Sequence, residues 1–503
     1  MAGKTTVCII GAGWYGTAMA QGLEGMAGLD VVVVERKKYF VNNLGTVRGV
    51  VEPAYAERLL LRRDFAFKKA KLLVADVARI DYAAHIVHIS NAKKTLRYDY
   101  LVLATGARYN FPGKIPWWFA ARGGKRVATK KYDALHAKLT ECRHIVVIGG
   151  GPVGCEVAGE LATDWLRHRG DGGAKTVTLV HSRAQPLDER TPDRMRRAIA
   201  QDLRGMGCHL VLGERALIEY VDVDQQPEGS APKDASPCVD DQLSPHGDGG
   251  GEAKTETAAT AATAATGASK DSTASGDVEL VVDGSRDSTI SVKSRRSSTA
   301  SQSMADFMHP LGADKDGGGG GGGGEQALMT DKGTKLPCDM ILTCAGPVVN
   351  SKLWAHNAKI QTVSGEEGEQ GLVVNAHLQV QGIDDGSVFA IGDCVATGDP
   401  CEKTLWPLED HVAVVKDSLA RLAKGEAPRR AWKKTTTKHI PLIVSLGRHG
   451  GRSYFPTPPG CCCCAHWGPT ATKYMKSQDF RTPYLQALLK VPKAERGRRA
   501  PVV

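Results

Sequence analysis

The sequence predicts an α/β protein built on two parallel sheets, each beginning with a strand, a glycine turn and a helix. Three observations predict it. The stretches Val7-Cys8-Ile9-Ile10-Gly11-Ala12-Gly13-Trp14-Tyr15-Gly16 and Val146-Val147-Ile148-Gly149-Gly150-Gly151-Pro152-Val153-Gly154-Cys155-Glu156 share one glycine spacing. Each is followed, one helix later, by a second apolar strand: Val31-Val32-Val33-Val34 and Val177-Thr178-Leu179-Val180. A further pair of strands, ending in Ala104-Thr105-Gly106 and Cys344-Ala345-Gly346, repeats at matching places. One such unit is a weak signal. Two mean two Rossmann-like domains holding two dinucleotides, and electron transfer between them is the natural chemistry.

The glycines carry the physical argument. Gly11 and Gly149 let the chain turn sharply off the strand. Gly13 and Gly151 leave no Cβ where a pyrophosphate must approach the backbone. Gly16 and Gly154 let the helix pack close to the strand. The helix N-terminus, with free N–H groups and a favourable dipole, then faces the phosphates. Ala12, Trp14 and Tyr15 complete the first turn.

Composition sets the bounds. A chain of 503 residues is long enough for two or three domains. Hydrophobic content of 42% and charged content of 24% are those of a soluble globular protein. The net charge of +10 is a mild bias toward anionic partners such as phosphates or lipid headgroups. No apolar run is long enough to span a bilayer. We expect no cleaved presequence, since the first strand starts by about Thr6, and no myristoylation, since residue 2 is Ala. The 13 cysteines follow no secreted spacing, which fits reduced thiols and a cytoplasmic location.

In chain order, residues 5–36 form the first β-α-β unit, with Ala18, Ala20 and Leu23 on the helix's packing face and Gly25 and Gly28 at its end. Its second strand ends at Glu35, where a carboxylate accepts hydrogen bonds from an adenosine ribose. Arg48 suits phosphate oxygens, although an arginine there is more often on the surface. Val77–Asp81 and Ile86–Ile89 read as hairpin arms, and Tyr98–Ala107 as a buried strand closing on a Thr-Gly turn. Residues 125–140 read as a basic linker and helix. The second β-α-β unit, residues 143–183, has Pro152 in the first helical turn, where its missing N–H costs nothing. Glu156 lies one turn in, a favourable place for an acid. Its strand ends at His181-Ser182-Arg183 without the acid that would repel a 2′-phosphate, so NADPH is tolerated alongside NADH. Another helix follows, from about Thr191 to Gly205, then strands near 209–223. Residues 224–328 hold Ala/Thr repeats, a Ser/Arg patch and the run Gly317–Gly324, a composition that buries little apolar surface; we expect a disordered insertion in a surface turn. The chain returns through residues 372–394, and residues 407–424 read as a helix.

Between two glycine fingerprints, a strand ending in Ala104-Thr105-Gly106 resembles the two-dinucleotide-binding flavoproteins. Val388-Phe389-Ala390-Ile391-Gly392-Asp393-Cys394 resembles their late FAD motif. The resemblance implies a glutathione-reductase-like fold with FAD and NAD(P)H as cofactors. It implies that Asp393 binds the ribitol hydroxyls of FAD and that Glu156 lines the nicotinamide side. The segments Leu442–Gly451 and Lys473–Phe480, with the Val-Thr-Leu-Val-His-Ser strand, are similar to the ferroptosis-suppressor branch of apoptosis-inducing-factor-like NAD(P)H:quinone reductases. That alignment puts Arg48 and Val77 at FAD-contact positions, Val77 through its backbone. It gives an FAD domain in two parts, 1–124 and 371–428. Between them lies an NAD(P)H domain, 125–370, containing the insertion, and a small α+β C-terminal domain covers 429–503.

The acceptor is argued from what is missing. A disulfide reductase needs paired cysteines near the flavin; Lys37–Asp64 has none, Cys155 has no neighbour, and Cys394 and Cys401 are spaced too loosely. A quinone or similar small acceptor is the better reading. No metal site is expected, since the adjacent Cys461–Cys464 lack zinc-ligand spacing; acylation there would bring peripheral membrane contact. His411, His449 and His466 form no clear dyad, so no side chain is assigned a catalytic role. Two alternatives stay open: a type II NADH dehydrogenase, with Tyr484–Leu489 as a short amphipathic candidate, and a redox-gated partner-binding protein, for which there is no strong nucleic-acid signal.

Overall fold

The computed structural model describes residues 4–63, 66–90, 94–110, 112–115, 124–166, 175–217, 327–364, 370–456, 466–467, 469–473, 476 and 489. Met1–Val221 with Gln302–Val503 forms one compact unit. The insertion expected at 224–328 lies outside the described residues but for its last two positions. So do Cys461–Cys464 and most of Tyr484–Leu489.

The fold is α/β, with parallel strands at its centre. Thr5–Ile10 is the middle of a five-stranded sheet. Leu29–Glu35 pairs with it on one side and Tyr100–Leu103 on the other, both parallel. Lys71–Val74 extends one edge, and Val388–Ala390, nearly 300 residues later in the chain, the other. The first sheet is thus completed by a strand from the far part of the sequence. Val7, Cys8 and Ile9 are fully buried, as a strand covered on both faces must be.

A second parallel sheet has four strands. His144–Ile148 lies between Thr176–His181 and Met340–Thr343, and Cys208–Leu212 pairs with the outer side of Thr176–His181. Here too the last strand returns from beyond the insertion. Ala327–Met329 pairs with Lys335–Pro337, and Ala216 bridges Thr330, so the chain entering the insertion meets the chain leaving it.

The helices follow the sequence with small shifts. Trp14–Leu23 buries Tyr15, Gly16, Thr17, Met19, Ala20 and Leu23. Ala18, expected on that face, lies only half-buried, and Met19 takes its place. Residues 125–140 form no linker; Gly124–Glu141 is one helix. Asp193–Gly205 and Leu408–Leu422 complete the long helices.

The C-terminal strands Leu442–Leu446 and Gly450–Tyr454 form a hairpin. It lies on the helix Pro152–Glu160, so closely that a Cβ on Gly159 would stand 2.7 Å from the Leu446 Cα. Arg452 clamps it to the helix Asp193–Gly205 by a bidentate pair with Asp202, at 2.6 and 2.7 Å.

Candidate dinucleotide sites

The two glycine turns are copies of one construction. Gly11 has φ +97° and Gly149 φ +102°, the left-handed region that glycine enters freely. A Cβ at Gly11 would lie 2.4 Å from the Ala104 carbonyl oxygen; at Gly149 it would lie 2.5 Å from that of Cys344. A Cβ at Gly16 would meet the Gly11 oxygen at 1.9 Å, and one at Gly154 the Gly149 oxygen at 1.7 Å. Four of the six glycines are therefore demanded by the protein itself.

The middle glycines differ. A Cβ at Gly13 or Gly151 would meet nothing within 4 Å, and neither has a positive φ. Packing does not require glycine there. The open cradle sits at the N-terminus of a helix whose first N–H groups have no side-chain cap. It fits a group that must touch backbone, as a pyrophosphate does.

Glu35 ends its strand beside the first turn and is 4% exposed. Its Oε2 accepts from the Ala12 N–H at 2.8 Å and its Oε1 from the Lys37 N–H at 2.9 Å. Burial pushes the carboxyl up, but Lys37, Arg63 and these N–H groups outweigh it and hold the pKa down to about 2. Lys37 itself is brought down to about 8 by burial, against the pull of Glu35.

The sequence offered two readings of Arg48, and the surface one is corrected. Arg48 is 2% exposed; its Nε and Nη2 donate to Glu160 at 2.7 and 2.9 Å. Burial pushes the Glu160 carboxyl up, and Arg48 opposes it. The pair joins the segment after the first unit to the helix of the second.

Three cations around the first turn were not singled out in the sequence. Arg63, fully buried, donates to the carbonyl oxygens of Ala12 and Tyr39 and faces Glu35 at 3.7 Å. Lys114 donates to the Ala107 carbonyl and feels both Asp393 and Glu35. Lys403 donates to the Asp393 and Val395 carbonyls at 2.6 and 3.1 Å. Burial pushes the Asp393 carboxyl up, against Lys114 and Lys403. Nothing in their local sequence marks these lysines; only the fold brings them together.

Thr105 and Gly106 lie just past the strand Tyr100–Leu103, and Asn350 Nδ2 donates to the Thr105 carbonyl at 2.9 Å. Gly106 has φ +66°. Val77, 7% exposed, begins a strand paired with Ile86–Ile89 through a bulge. The sequence assigns His411 no role. It is 2% exposed, its Nδ1 accepts from the Gly392 N–H at 3.3 Å, and burial brings its pKa down to about 4. It thus props the turn that carries Asp393.

Glu156 is 4% exposed, and its Oε1 accepts from the Ser445 N–H at 3.0 Å and from Lys476. A residue 320 positions away thus contacts a side chain on the helix of the second turn. The eight described cysteines are all free and buried. Burial raises their thiol pKa values, to about 12 at Cys8, Cys208 and Cys344.

Comparison with known proteins agrees with this geometry. Residues 5–231 match the model of the pyridine nucleotide-disulphide oxidoreductases. Ferroptosis suppressor protein 1 of Xenopus tropicalis is 30% identical over 89% of this chain and 88% of its own. The chain belongs to the pyridine nucleotide-disulphide oxidoreductase family. Apoptosis-inducing factor homolog B of Dictyostelium discoideum is 23% identical, over 95% of each chain. Among solved structures, the sulfide:quinone oxidoreductase of Aquifex aeolicus has a TM-score of 0.58, with 14% identity, over 98% of this chain and 94% of that one. The protein is a flavoprotein oxidoreductase of FAD and NAD(P)H. Among the described residues, no helix is long and apolar enough to cross a membrane, and no group of His, Cys, Asp and Glu could hold a metal ion.

Proposed function

We propose that this oxidoreductase carries electrons from NAD(P)H through FAD to a small quinone-type acceptor. The observation that carries the reading is the pair of open cradles at Gly13 and Gly151 in one molecule, with no accessible thiol among the described cysteines to relay electrons onward. A raised thiol pKa leaves little thiolate, and thiolate is the reactive form. Bound FAD would supply the hydride and electron chemistry between NAD(P)H and the acceptor; the chain's own residues would contribute binding, alignment and exclusion of water.

The residues divide by cofactor. Gly11, Ala12, Gly13, Trp14, Tyr15, Gly16, Glu35, Arg48, Val77, Thr105, Gly106 and Asp393 would hold FAD, with Lys37, Arg63 and Lys114 supplying positive charge. Gly149, Gly151, Gly154 and Glu156 would hold the nicotinamide dinucleotide. In this division Arg48 acts by tying the FAD side to the helix of the second turn. Glu156, fixed by Ser445 and Lys476, keeps a carboxylate at a set place beside that turn. Leu405 and Trp406 follow the Asp393 turn and are 37% and 55% exposed, apolar surface that suits an aromatic acceptor. The resemblance to the ferroptosis-suppressor branch points the same way.

The test is anaerobic stopped-flow. The FAD-loaded protein is reduced with NADH or NADPH and then mixed with a soluble quinone, a disulfide or ferricyanide. We expect loss of the flavin's visible absorbance on reduction and fast reoxidation by the quinone but not by the disulfide. Fast reoxidation by the disulfide would overturn the acceptor assignment.

A further inference from the structure

Two irregular loops, one from each dinucleotide unit, meet at Arg190. The first, residues 182–191, follows the strand Thr176–His181 of the second sheet. Its Leu187 N–H donates to the Gly150 carbonyl, inside the second glycine turn, at 2.7 Å. The other, residues 396–407, follows the Asp393 turn, and its Lys403 holds the Asp393 carbonyl at 2.6 Å. Arg190 Nη1 donates across to the Pro400 carbonyl at 3.0 Å. A short run of bonds and chain thus leads from the Gly150 carbonyl to the Asp393 carbonyl, and it crosses between the loops on the Arg190 side chain.

That side chain is held at every point. Its Nε and Nη2 donate to Asp188 Oδ2 at 3.1 and 2.6 Å, and its backbone N–H donates to Asp188 Oδ1 at 3.0 Å. The guanidinium plane is fixed, and Nη1 is left to point at Pro400. The Arg190 carbonyl accepts from the Ile440 N–H at 2.9 Å. On the facing loop, Asp399 is 4% exposed and accepts from the N–H groups of Cys401 and Thr435, each at 2.6 Å. Thr435 and Ile440 lie five residues apart, so one strap braces both loops. Each loop also carries a non-glycine residue in the left-handed region, Leu187 at φ +63° and Lys403 at φ +60°. Such backbone persists only where its surroundings over-determine it.

We propose that Arg190 is a positioning residue for hydride transfer: it sets the spacing between the nicotinamide-side loop and the flavin-side loop. This rests on the reading of the two glycine turns as the FAD and nicotinamide-dinucleotide sites. Hydride transfer needs its two reacting atoms about 3–3.5 Å apart, and a misplacement of about 1 Å costs on the order of a hundredfold in rate. Rigidity within each site does not set that distance; a link between the sites does. The Arg48–Glu160 pair is such a link, but it is sealed in the interior. The Arg190 side chain is 46% exposed, and an ion pair at that exposure adds little to stability. Stability gives little reason for so complete a set of bonds, whereas spacing gives one.

Arg190→Ala in the FAD-loaded protein tests it with four readouts. Flavin content and melting temperature should stay at the wild-type values. Calorimetry with ADP-ribose, which fills the second turn but carries no nicotinamide, should give an affinity within about threefold of wild type. Rapid-mixing reduction of the flavin at saturating NAD(P)H should slow by at least about tenfold. The charge-transfer absorbance of reduced flavin with NAD+, which reads ring stacking without turnover, should weaken in parallel. Asp188→Asn keeps an oxygen for the Arg190 N–H but removes the charge that holds the guanidinium, and should move the last two readouts in the same direction. Wild-type reduction and charge-transfer absorbance in both variants overturn the proposal. So does a slowed reduction accompanied by an equal loss of ADP-ribose affinity or of flavin, which would make Arg190 a support of one site alone. A wild type that neither binds ADP-ribose nor is reduced by NAD(P)H overturns the parent assignment of the turns, and this inference with it.

Discussion

At the residue scale, the glycines sort into those the protein needs and those a ligand needs. A Cβ at Gly16 would lie 1.9 Å from a backbone oxygen, so Gly16→Ala should fail to fold. Gly13 and Gly151 have φ near −70°, with open space around them, so alanine fits both backbone and packing. We expect Gly13→Ala and Gly151→Ala to leave the stability of the cofactor-free protein within about 0.5 kcal/mol of wild type. Gly13→Ala should weaken FAD binding, and Gly151→Ala NAD(P)H binding, each by at least about tenfold, or about 1.4 kcal/mol. Denaturant melts with flavin-fluorescence and calorimetric titrations check both halves. A loss of stability without loss of affinity would make these glycines structural. His411 titrates in a definable window. Its pKa is about 4 folded against an ordinary 6.5, so between these values the unfolded chain binds more protons. Its contribution to stability is complete above pH 6.5 and lost as pH falls toward 4. The loss is about 3 kcal/mol. His411→Gln, which can still accept from the Gly392 N–H but does not titrate, should flatten the stability profile between pH 6.5 and 4. Urea midpoints across that range decide it.

At the element scale, the Arg48–Glu160 pair holds a short helix of the first part against the helix of the second turn. Both side chains are removed from water, so breaking the pair leaves a buried charge alone. Arg48→Met should cost about 3–5 kcal/mol, and Arg48→Met with Glu160→Leu should recover much of it. Chemical unfolding of the two variants measures the difference; a double variant no better than the single would place the cost in packing. This pair also shows where sequence reading stops. The strand–turn–helix units were legible because their signals are local: glycine spacing, an apolar run, an acid at a strand end. Glu160 lies 112 positions from Arg48, and Lys476 lies 320 from Glu156, and no periodicity links them. Arg63, Lys114 and Lys403 were illegible for the same reason, since a lone cation in a loop looks solvated until the fold surrounds it. The Ala18-for-Met19 exchange on the first helix has another cause. Ala18 and Ala20 stand about 160° apart on an α-helix and do not share one face, whereas Met19 and Leu23, at i and i+4, do.

At the scale of the whole molecule, the question is how the C-terminal hairpin comes to share in a site built mostly from the first half of the chain. Its strand Leu442–Leu446 supplies the Ser445 N–H to Glu156, and Lys476 reaches the same carboxylate. Arg448 meets both Glu52 and Asp164, at 3.2 and 3.4 Å, so the hairpin touches both sides of the dinucleotide pair. At Gly159 the helix backbone comes close to the hairpin backbone, and the φ of Gly159 is not positive. Two effects of Gly159→Ala compete there. Alanine in a helix interior gains about 1 kcal/mol over glycine. Its Cβ would stand 2.7 Å from Leu446 Cα and 3.1 Å from the Gly447 nitrogen, backbone atoms that cannot rotate away. Overpacking of this kind costs about 1–3 kcal/mol, so the clash prevails. The variant should be less stable by up to about 2 kcal/mol. It should keep its flavin, since Gly159 lies on the helix of the second turn, Pro152–Glu160. Its flavin should be reduced more slowly by NAD(P)H, because the hairpin that fixes Glu156 is pushed outward. Flavin content, thermal unfolding and single-turnover reduction measure the three separately. A stabilised protein with wild-type reduction would mean that the hairpin rides on the molecule without ordering its site.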